Sequence, residues 1–417
     1  MRRRVLGMVM AGGRGTRLFP LTRDRAKPAV PFGGRYRIVD FVLSNFVNSG
    51  IYSIYVLTQF KSQSLMEHIH STWGGASMLN DHFIIPVPAQ MMTGDSWYQG
   101  TGDAIFQNLN LIRDCRPHIV AVFGGDHIYR MDISQMISFH NDVDADATIA
   151  GITVPIEEAH QFGVMKVETD GRLLEFQEKP ENPAPLPSDP TRALVSMGNY
   201  VFSARALTHA LERDAVDKSS SHDFGKDILP WMLAKKQNLY CYKFETNSIP
   251  GQSGANTYWR DVGTLDAYYE ATMDLRNVVP DFDLYNGQWP IRTATMDLPP
   301  AKFVHDEENR VGHAVMSIVS EGSIISGSKV SGSLIGRNVR VNSFCEVEDS
   351  ILMDNVELGR RVKLRGVIID KNVKVPDGEV IGFDRARDAE RFTISDQGIV
   401  VIPKKPLFEG PVGTINL

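Results

Sequence analysis

Short apolar runs alternate with stretches of helical periodicity over the amino-terminal two thirds of the chain. Mostly apolar runs at 5–10, 51–57 and 119–124 predict buried strands, and the apolar positions at 104–113 and 132–140 repeat as they do in amphipathic helices. Strands that alternate with helices predict an α/β domain with a mostly parallel sheet covered on both faces. Ligands bind such a sheet at the carboxyl ends of its strands, so the residues that follow each strand are the functional candidates.

The pattern changes after about residue 276. A segment at 281–300 is rich in proline, aspartate and aromatic residues, and it predicts a linker. Further on, apolar residues recur at intervals of six, or twice five, at Ile335, Val341, Val347, Met353, Leu358, Leu364, Ile369, Val375 and Ile381. This period is typical of the coils of a hexapeptide-repeat β-helix, and the alternative is a small antiparallel sheet. The predicted division is an α/β domain at 1–275, a linker at 276–315 and a β-helix domain at 316–417.

Glycines and arginines follow the first predicted strand, at Gly12, Gly13, Arg14, Gly15, Thr16 and Arg17. Backbone N–H groups of a glycine-rich loop can approach an anion closely, and arginine donates charge-assisted hydrogen bonds to phosphate oxygens. The segment has no Gly-Lys-Ser/Thr as in a Walker A loop, and Leu18 stands where a dinucleotide fingerprint has its third glycine. The loop therefore predicts a different polyphosphate site, most plausibly for a nucleotide.

Charge is distributed unevenly along the chain. The net charge is −6, yet residues 2–37 hold ten lysines and arginines and one acid, Asp24. A basic patch in an acidic protein suits a small polyanion and predicts no general affinity for nucleic acid or an anionic membrane. The three cysteines, at 115, 241 and 345, are scattered, and no apolar run reaches membrane-spanning length, so we expect a cytoplasmic protein.

Two aspartates are candidate metal ligands. Asp126 follows the predicted strand at 119–124, and Asp261 lies in the motif Tyr-Trp-Arg-Asp-Val-Gly-Thr. Carboxylates at the end of a strand beside a phosphate loop can hold a Mg²⁺ that bridges triphosphate oxygens. The alternative for Asp126 is an ordinary turn residue, and His127 has metal-ligand chemistry as well as a structural interpretation.

Further polar residues follow later predicted strands. Glu178 and Lys179 end a strand at 173–177, and a lysine there can contact a monoester phosphate, although most such pairs are surface ion pairs. Ser196 offers a hydroxyl for hexose recognition. The contiguous Ser-His-Asp at 221–223 cannot align as a catalytic triad and predicts a helix cap.

Several longer strings carry a resemblance to a known family. They are Gly-Gly-Arg-Gly-Thr-Arg-Leu at 12–18, Arg-Ala-Lys-Pro at 25–28, Trp-Tyr-Gln-Gly-Thr at 97–101, Gly-Asp-His-Ile-Tyr at 125–129 and Tyr-Trp-Arg-Asp-Val-Gly-Thr at 258–264. The chain resembles the bacterial glucose-1-phosphate adenylyltransferases, which belong to the sugar-nucleotide pyrophosphorylases. The resemblance implies a Rossmann-like nucleotidyltransferase domain followed by a left-handed parallel β-helix.

The resemblance also implies a reaction. Members make ADP-glucose and pyrophosphate from ATP and α-D-glucose 1-phosphate with Mg²⁺, the first committed step of glycogen biosynthesis, and assemble as homotetramers. It assigns catalysis to Arg17, Lys27 and Asp126. It assigns the nucleotide to Gly12, Gly13, Arg14, Gly15, Thr16, Gln59 and Gly100. It assigns the sugar phosphate to Tyr98, Gly163, Glu178, Lys179 and Ser196. It assigns the metal to Asp126 and Asp261.

Arg37 and Arg391 match positions of the family's allosteric site. Asp24 and Pro31 stand where members activated by fructose 1,6-bisphosphate have a lysine and the family's other effector residue. The expected effector is therefore a phosphorylated metabolite or a small acid, with a monophosphate such as fructose 6-phosphate, or pyruvate, more effective than the bisphosphate.

Three other functions are weighed against this one. A catalytically silent paralogue would lack Asp126, Lys179 or Arg17, all of which are present. An additional acetyltransferase activity would need a basic histidine in the coils, and no histidine lies between 314 and 417. Uridylyl or thymidylyl transfer is the third, and the Arg-Ala-Lys-Pro context favours ATP.

Overall fold

The computed structural model describes residues 3–74, 82–90 and 97–404. These residues form two compact units, each assembled from separate stretches of chain. The first unit takes residues up to Gly13, 39–259 and 285–292, and the second takes 14–38, 260–284 and the residues from Thr293 onward. The chain therefore passes from one unit to the other five times.

The first unit is built on a nine-stranded sheet. Its strands, in chain order, are β1 (Val5–Met10), β2 (Ser53–Thr58), β3 (Phe83–Pro88), β4 (Ile119–Gly124), β5 (Ala147–Pro155), β6 (Gly163–Val167), β7 (Leu173–Glu178), β8 (Arg192–Ser203) and β9 (Leu239–Lys243). The order across the sheet is β7-β6-β8-β4-β1-β2-β3, and β5 pairs with β8 and β9. Strand β1 lies between β4 and β2 and runs parallel to both, so the loops after these three strands meet at one edge.

Helices of the first unit are Ile38–Asn48, Gln63–Trp73, Thr101–Phe106, Leu109–Cys115, Ile133–Asp142, Ala204–Asp214 and Leu229–Ala234. Short turns of 3₁₀ helix lie at Ala159–Gln161 and Phe244–Thr246, a π-helical turn at Phe224–Ile228, and a short strand at Ile128–Tyr129. Trp259–Arg260 forms a short strand where the chain leaves the unit. Apolar side chains from β1, β4 and β8 pack with those of the helices into one core.

The single helix predicted at 104–113 is two helices with a break at Gln107 and Asn108. The Asn108 amide donates to the Ala104 carbonyl at 2.8 Å and to the Tyr98 hydroxyl at 2.9 Å. An asparagine side chain that bonds a main-chain carbonyl competes with the helical ladder, so the helix ends there.

The second unit contains three parallel sheets wound into a β-helix. The first is formed by Lys302–Val304, Ile324–Ser326, Arg340–Val341, Glu357–Leu358 and Lys374–Val375. The second is formed by His313–Val315, Lys329–Ser331, Glu346–Glu348, Lys363–Arg365 and Val380–Ile381. The third is formed by Ile318–Val319, Leu334–Ile335, Ile351–Leu352, Val367–Ile369 and Val400–Ile402, with Thr393–Ile394 antiparallel at its edge.

Between Lys329 and Val380, residues at the same position of successive coils are 17 apart, as in the pairing of Lys329 with Glu346, and the preceding coil is one residue shorter, as in the pairing of Ile324 with Arg340. A coil of 17 residues has two sides of six and one of five, and the five-residue sides separate Val347 from Leu352 and Leu364 from Ile369. The short interval before Leu358 in the apolar pattern arises because Met353 was counted there, whereas Leu352 is the residue that pairs with Ile369. Asn338, Asn355 and Asn372 stack at one corner with amide-to-amide distances of 2.9 Å. All three have positive φ, a conformation that asparagine adopts more readily than most residues.

The second unit contains other elements besides this β-helix. They are the helices Leu265–Asp274 and Arg385–Arg391, the 3₁₀ turns Thr16–Leu18 and Lys27–Ala29, and the short strand pairs Pro31–Phe32 with Tyr36–Arg37 and Asp306–Glu307 with Arg310–Val311. Arg25 and Asp370 form a buried ion pair at 2.5 Å, and the Tyr268 hydroxyl donates to the Pro31 carbonyl at 2.6 Å. The segment at 14–38 is therefore anchored to the coils through Arg25 and to the segment at 260–284 through Pro31.

These two architectures confirm the predicted fold class, a mostly parallel α/β sheet and a hexapeptide β-helix of the left-handed type. Within the described ranges, every helix is too short or too polar to cross a bilayer.

Candidate active site

Gly12 and Gln59 lie side by side at the ends of β1 and β2. The Ala11 N–H donates to the Leu57 carbonyl at 2.8 Å, which continues the parallel pairing to the last residue before the glycines. A Cβ added to Gly12 would lie 3.1 Å from the Gln59 Cβ, whereas one added to Gly13 would meet no atom within 4 Å. The backbone at Gly13 therefore faces open space, as a phosphate-binding loop requires.

Asp126 and His127 follow β4, the strand on the other side of β1. Asp126 Oδ1 lies 3.7 Å from His127 Nε2, and the imidazole packs edge-on against the Trp259 ring, with centroids 5.1 Å apart. Trp259 in turn contacts the Phe162 ring at 5.2 Å, and the Phe162 carbonyl accepts the Lys179 N–H at 3.0 Å. A chain of contacts thus connects the predicted metal ligand Asp126 with the predicted phosphate ligand Lys179.

Glu178 and Lys179 form a polar corner at the end of β7. Lys179 has φ of 48°, its Nζ lies 3.5 Å from Glu178 Oε1, and its side chain is 63% exposed. Burial raises the pKa of Glu178, Lys179 opposes that rise and Asp223 adds to it. Gly163 pairs with Glu178 across the sheet, and a Cβ there would lie 2.9 Å from Glu178 Oε2. The corner combines an exposed cation with a half-buried carboxylate, which suits a phosphorylated polyol.

Ser196 lies in the middle of β8, where the register shifts before Tyr200. The Ser196 hydroxyl accepts the Gly198 N–H at 3.1 Å and also hydrogen-bonds Tyr200, whose pKa is raised by burial and further by Glu178 and Asp223. A Cβ on Gly198, which has φ of 70°, would lie 4.0 Å from the His127 ring. The hydroxyl therefore belongs to the same region as Glu178 and His127.

Tyr98 and Gly100 lie in the loop before the helix Thr101–Phe106. The Tyr98 hydroxyl accepts from Asn108, and burial raises the pKa of this phenol. The Gln59 amide is 3.5 Å from the Tyr98 carbonyl, so the loop contacts the predicted nucleotide side. A Cβ on Gly100 would collide with the backbone of Ser221 and His222. The structure thus gives Gly100 a packing role, and its nucleotide contact stays a prediction.

The rest of the glycine–arginine loop belongs to the second unit. Gly15 has φ of 59°, and a Cβ there would lie 2.9 Å from the Lys27 Cβ, so a larger residue at 15 would displace Lys27. The Thr22 hydroxyl donates to the Gly15 carbonyl at 2.9 Å. Arg14 and Thr16 flank this turn, and Arg17 lies in the 3₁₀ turn that follows.

Asp261 binds two of the predicted catalytic cations. Lys27 Nζ lies 2.6 Å from Asp261 Oδ1, and Arg17 Nη2 lies 3.6 Å from Oδ2. The lysine is buried, whereas the Arg17 side chain is 61% exposed. The two predicted metal ligands divide between the units, Asp126 in the first and Asp261 in the second, so their pairing stays a prediction.

The predicted effector residues each have a carboxylate partner. Arg391 makes two 3.1 Å hydrogen bonds to Glu379, and Arg37 Nη2 lies 3.7 Å from Asp354 Oδ2. Arg37 also belongs to a cationic cluster that the sequence did not reveal. Burial, helped by Arg37, Arg25 and Lys404, lowers the pKa of Lys371 to about 7. These cations are far apart in the sequence, so no local motif marks them.

Asp223 is a second residue that the sequence interpretation valued too little. As predicted, it caps the turn at 224–228, since its Oδ1 accepts the Gly225 and Lys226 N–H groups at 2.9 and 3.2 Å. A Cβ on Gly225, whose N–H Asp223 accepts, would lie 2.5 Å from Glu178 Oε2, so the capped turn packs at the polar corner, and Asp223 raises the pKa of both Glu178 and Tyr200 there. The string His-Asp-Phe-Gly-Lys-Asp at 222–227 was the available signal.

Comparison with known proteins agrees with this geometry. A family model described as nucleotidyl transferase matches residues 6–278, and one described as GlmU-like, C-terminal hexapeptide matches residues 299–402. The chain is 57% identical over 405 residues to the glucose-1-phosphate adenylyltransferase of Thermus thermophilus, covering 96% of this chain and 98% of the relative. It is 50% identical to that of Deinococcus radiodurans, covering 98% and 100%, and 53% identical to that of an Anaeromyxobacter species, covering 96% and 98%.

Together, the two family models cover the site residues described above, from the glycine loop to the last coil of the β-helix. At such identity over nearly the full length of both proteins, the chain is a nucleotidyltransferase that belongs to the glucose-1-phosphate adenylyltransferase family.

Proposed function

We propose that this chain transfers the adenylyl group of ATP to α-D-glucose 1-phosphate, so that ADP-glucose and pyrophosphate form in the first committed step of glycogen biosynthesis. The observation that carries the proposal is the 57% identity, over nearly the full length, to a relative named for this reaction. The polar corner at the end of β7 supports it, because an exposed lysine beside a half-buried carboxylate is suited to a sugar phosphate.

The sugar phosphate binds in the first unit. Lys179 holds its phosphate as a point charge, and Glu178 accepts hydrogen bonds from sugar hydroxyls. Tyr98 and Ser196 add hydroxyl groups, and Gly163 leaves the space beside Glu178 that a larger side chain would fill.

The nucleotide is held by the glycine loop, with Gly12, Gly13, Arg14, Gly15 and Thr16, and by Gln59. Gly100 contributes from the Tyr98 loop. Arg17 and Lys27 neutralise the triphosphate, and the salt bridge from Asp261 holds Lys27 Nζ in place before substrate binds.

Asp126 and Asp261 are the proposed ligands of Mg²⁺. Carboxylate oxygens are the ligands that this ion prefers, and Asp261 already attracts two cationic side chains. When bound, the ion supplies positive charge beside the reacting phosphates.

The chemistry needs no nucleophile from the protein. The phosphate oxygen of the sugar attacks the α-phosphorus in line and pyrophosphate leaves, so catalysis consists of positioning and charge neutralisation. Lys179 orients the attacking phosphate, and Arg17 and Lys27 stabilise the charge that develops on the leaving pyrophosphate.

Regulation and assembly follow the same reasoning. The cations around Arg37, Lys371 and Lys404 favour an anionic effector, and Arg391 is the second proposed contact.

We further propose a homotetramer, with the nucleotidyltransferase domain at 1–275, a linker at 276–315 and the β-helix at 316–417. The three cysteines are free thiols, which suits the proposed cytoplasmic location.

A nucleotide panel tests the activity. Pyrophosphate release is measured with glucose 1-phosphate and ATP, UTP, dTTP, CTP or GTP at saturating Mg²⁺, and again with EDTA. We expect ATP to be the best donor and EDTA to abolish release. A higher kcat/KM with UTP or dTTP would contradict the adenylyl assignment.

The same assay at subsaturating ATP, with fructose 6-phosphate, pyruvate or fructose 1,6-bisphosphate, tests the effector. Strongest activation by the bisphosphate would contradict the proposed preference for a monophosphate or a small acid.

A further inference from the structure

A buried acid–histidine pair precedes Asp223, and the proposed chemistry does not use it. Asp214 ends the helix Ala204–Asp214 and is buried, and its Oδ2 lies 2.7 Å from His222 Nδ1. The Ser220 hydroxyl donates to Asp214 Oδ1 at 2.7 Å and accepts the His222 N–H at 2.9 Å. Both the side chain and the backbone of His222 are therefore tied to the end of one helix.

His222 needs such ties because its backbone is in a left-handed conformation, with φ of 55°. For a residue other than glycine this region is unfavourable and persists only where the surroundings hold it. In this conformation the His222 carbonyl accepts the Gly102 N–H at 2.8 Å and faces the Asp103 N–H at 3.4 Å. The histidine thereby joins two loops that are distant in the sequence.

The second of these loops is the Tyr98 loop. A Cβ on Gly100 would lie 2.6 Å from the His222 carbonyl carbon, and one on Gly102 would lie 3.0 Å from its oxygen, so close packing requires both glycines. Thr101 completes the junction, since its hydroxyl donates to Asp223 Oδ2 and accepts the Phe224 N–H, both at 3.0 Å.

We infer that Asp214 and His222 are positioning residues for the sugar phosphate, because they hold the Asp223 carboxylate and the Tyr98 loop together against Glu178. The inference rests on the proposed function, since it takes Glu178 and Tyr98 to bind the sugar. Neither Asp214 nor His222 needs to contact the substrate itself. Loss of the pair displaces the sugar side, whereas of the proposed nucleotide residues only Gly100 packs against His222.

Three substitutions of His222 separate its two roles. His222→Asn places an amide nitrogen where the imidazole has Nδ1, and asparagine tolerates positive φ. His222→Gly keeps the backbone freedom but loses the hydrogen bond to Asp214, and His222→Ala loses both. His209→Ala is the matched control, because His209 is exposed on the same helix as Asp214.

Steady-state kinetics with each substrate varied, and hydrogen exchange of a peptide that includes the Gly102 amide, give the readouts. We expect His222→Ala and His222→Gly to raise KM for glucose 1-phosphate about 5- to 20-fold and KM for ATP clearly less, because Gly100 is the one proposed nucleotide residue that packs on His222. His222→Asn should recover most of this loss, and exchange at Gly102 should accelerate in the Ala and Gly variants only.

Equal rises in both KM values, or no rescue by asparagine, would overturn the positioning role. Unchanged exchange at Gly102 in His222→Ala would also overturn it, whatever the substrate. Absence of ADP-glucose from the wild-type enzyme would instead refute the proposed function, and the exchange experiment would still decide whether His222 joins the loops.

Discussion

The ion pair between Lys27 and Asp261 gives a sharp test of the geometry of the second unit. Asp261→Asn keeps the size of the side chain but removes the charge that lies 2.6 Å from the buried Lys27 Nζ. Lys27→Met removes the other partner and leaves Asp261 beside Arg17. We expect Asp261→Asn to be clearly less stable than Lys27→Met, because a buried cation that loses its carboxylate is more costly than a carboxylate that keeps a second cation.

The distance sets the magnitude. At an effective dielectric constant of about 20, two charges 2.6 Å apart attract each other by roughly 6 kcal/mol. Desolvation offsets much of this, and the Asp261 side chain is 20% exposed, so the net loss in Asp261→Asn should be about 2–3 kcal/mol. For a unit of this size, that loss lowers the unfolding midpoint by about 5–10 °C.

Differential scanning calorimetry of four proteins measures the effect: wild type, the two single variants and the double variant. The double variant should regain stability relative to Asp261→Asn, because no buried lysine is left. Asp281→Asn is the matched control, since the Asp281 carboxylate is exposed and lies 4.0 Å from Arg260. The reasoning would be refuted if the unfolding midpoint of Asp261→Asn lay within 1 °C of the wild-type midpoint. It would also be refuted if Lys27→Met were the only single variant with a lowered midpoint.

Three further outcomes are expected. Asp126→Asn should keep the fold, with an unchanged unfolding midpoint, and should lower kcat by roughly 10²–10⁴ because an electrostatic partner of the reacting phosphates is lost. A near-normal kcat at saturating Mg²⁺ would exclude Asp126 from the mechanism. Lys179→Gln should raise KM for glucose 1-phosphate by roughly 10–100-fold with little change in KM for ATP. Lys166→Gln is the control, because Lys166 forms an exposed ion pair with Glu175. A defect confined to ATP would show that Lys179 does not bind the sugar phosphate. Because the pKa of Lys371 is lowered to about 7 from 10.5, the unfolded chain binds more protons than the folded protein between these pH values, and the free energy of unfolding should rise with pH there. Lys371→Met should reduce that rise by about 1–2 kcal/mol between pH 7 and 9, measured by calorimetry. An identical pH profile in the variant would exclude this contribution of Lys371.

The local sequence pattern was sufficient to predict those parts of the fold that depend on a single strand, loop or repeat. The apolar run at 5–10 is β1, and the glycines begin directly after it, because a buried parallel strand and a tight loop both have strong local signals. The six-residue period likewise predicted the coils, and its short interval from Leu364 to Ile369 is the five-residue side of a coil.

Tertiary contacts account for what the sequence could not show. Asn108 interrupts a helical pattern because its amide donates hydrogen bonds to the Ala104 carbonyl and the Tyr98 hydroxyl, and the local sequence does not predict the bond to Tyr98. The family resemblance assigns Gly100 to the nucleotide, yet a glycine is required there by close packing against a loop more than a hundred positions away. The cations around Lys371 come from opposite ends of the chain, so their mutual influence exists only in the fold.

The five passages of the chain between the two units have a consequence for dissection of the enzyme. Arg17 and Lys27 belong to the unit that contains the β-helix, and the nearby Arg25 is buried against Asp370 in the coils. A fragment that stops before residue 316 would keep the glycine loop but remove the coils on which Arg25 is buried and paired. Proteolytic nicking at a single loop would therefore yield pieces that stay associated, and co-expression of two overlapping halves, rather than either half alone, is the way to recover a folded nucleotide site.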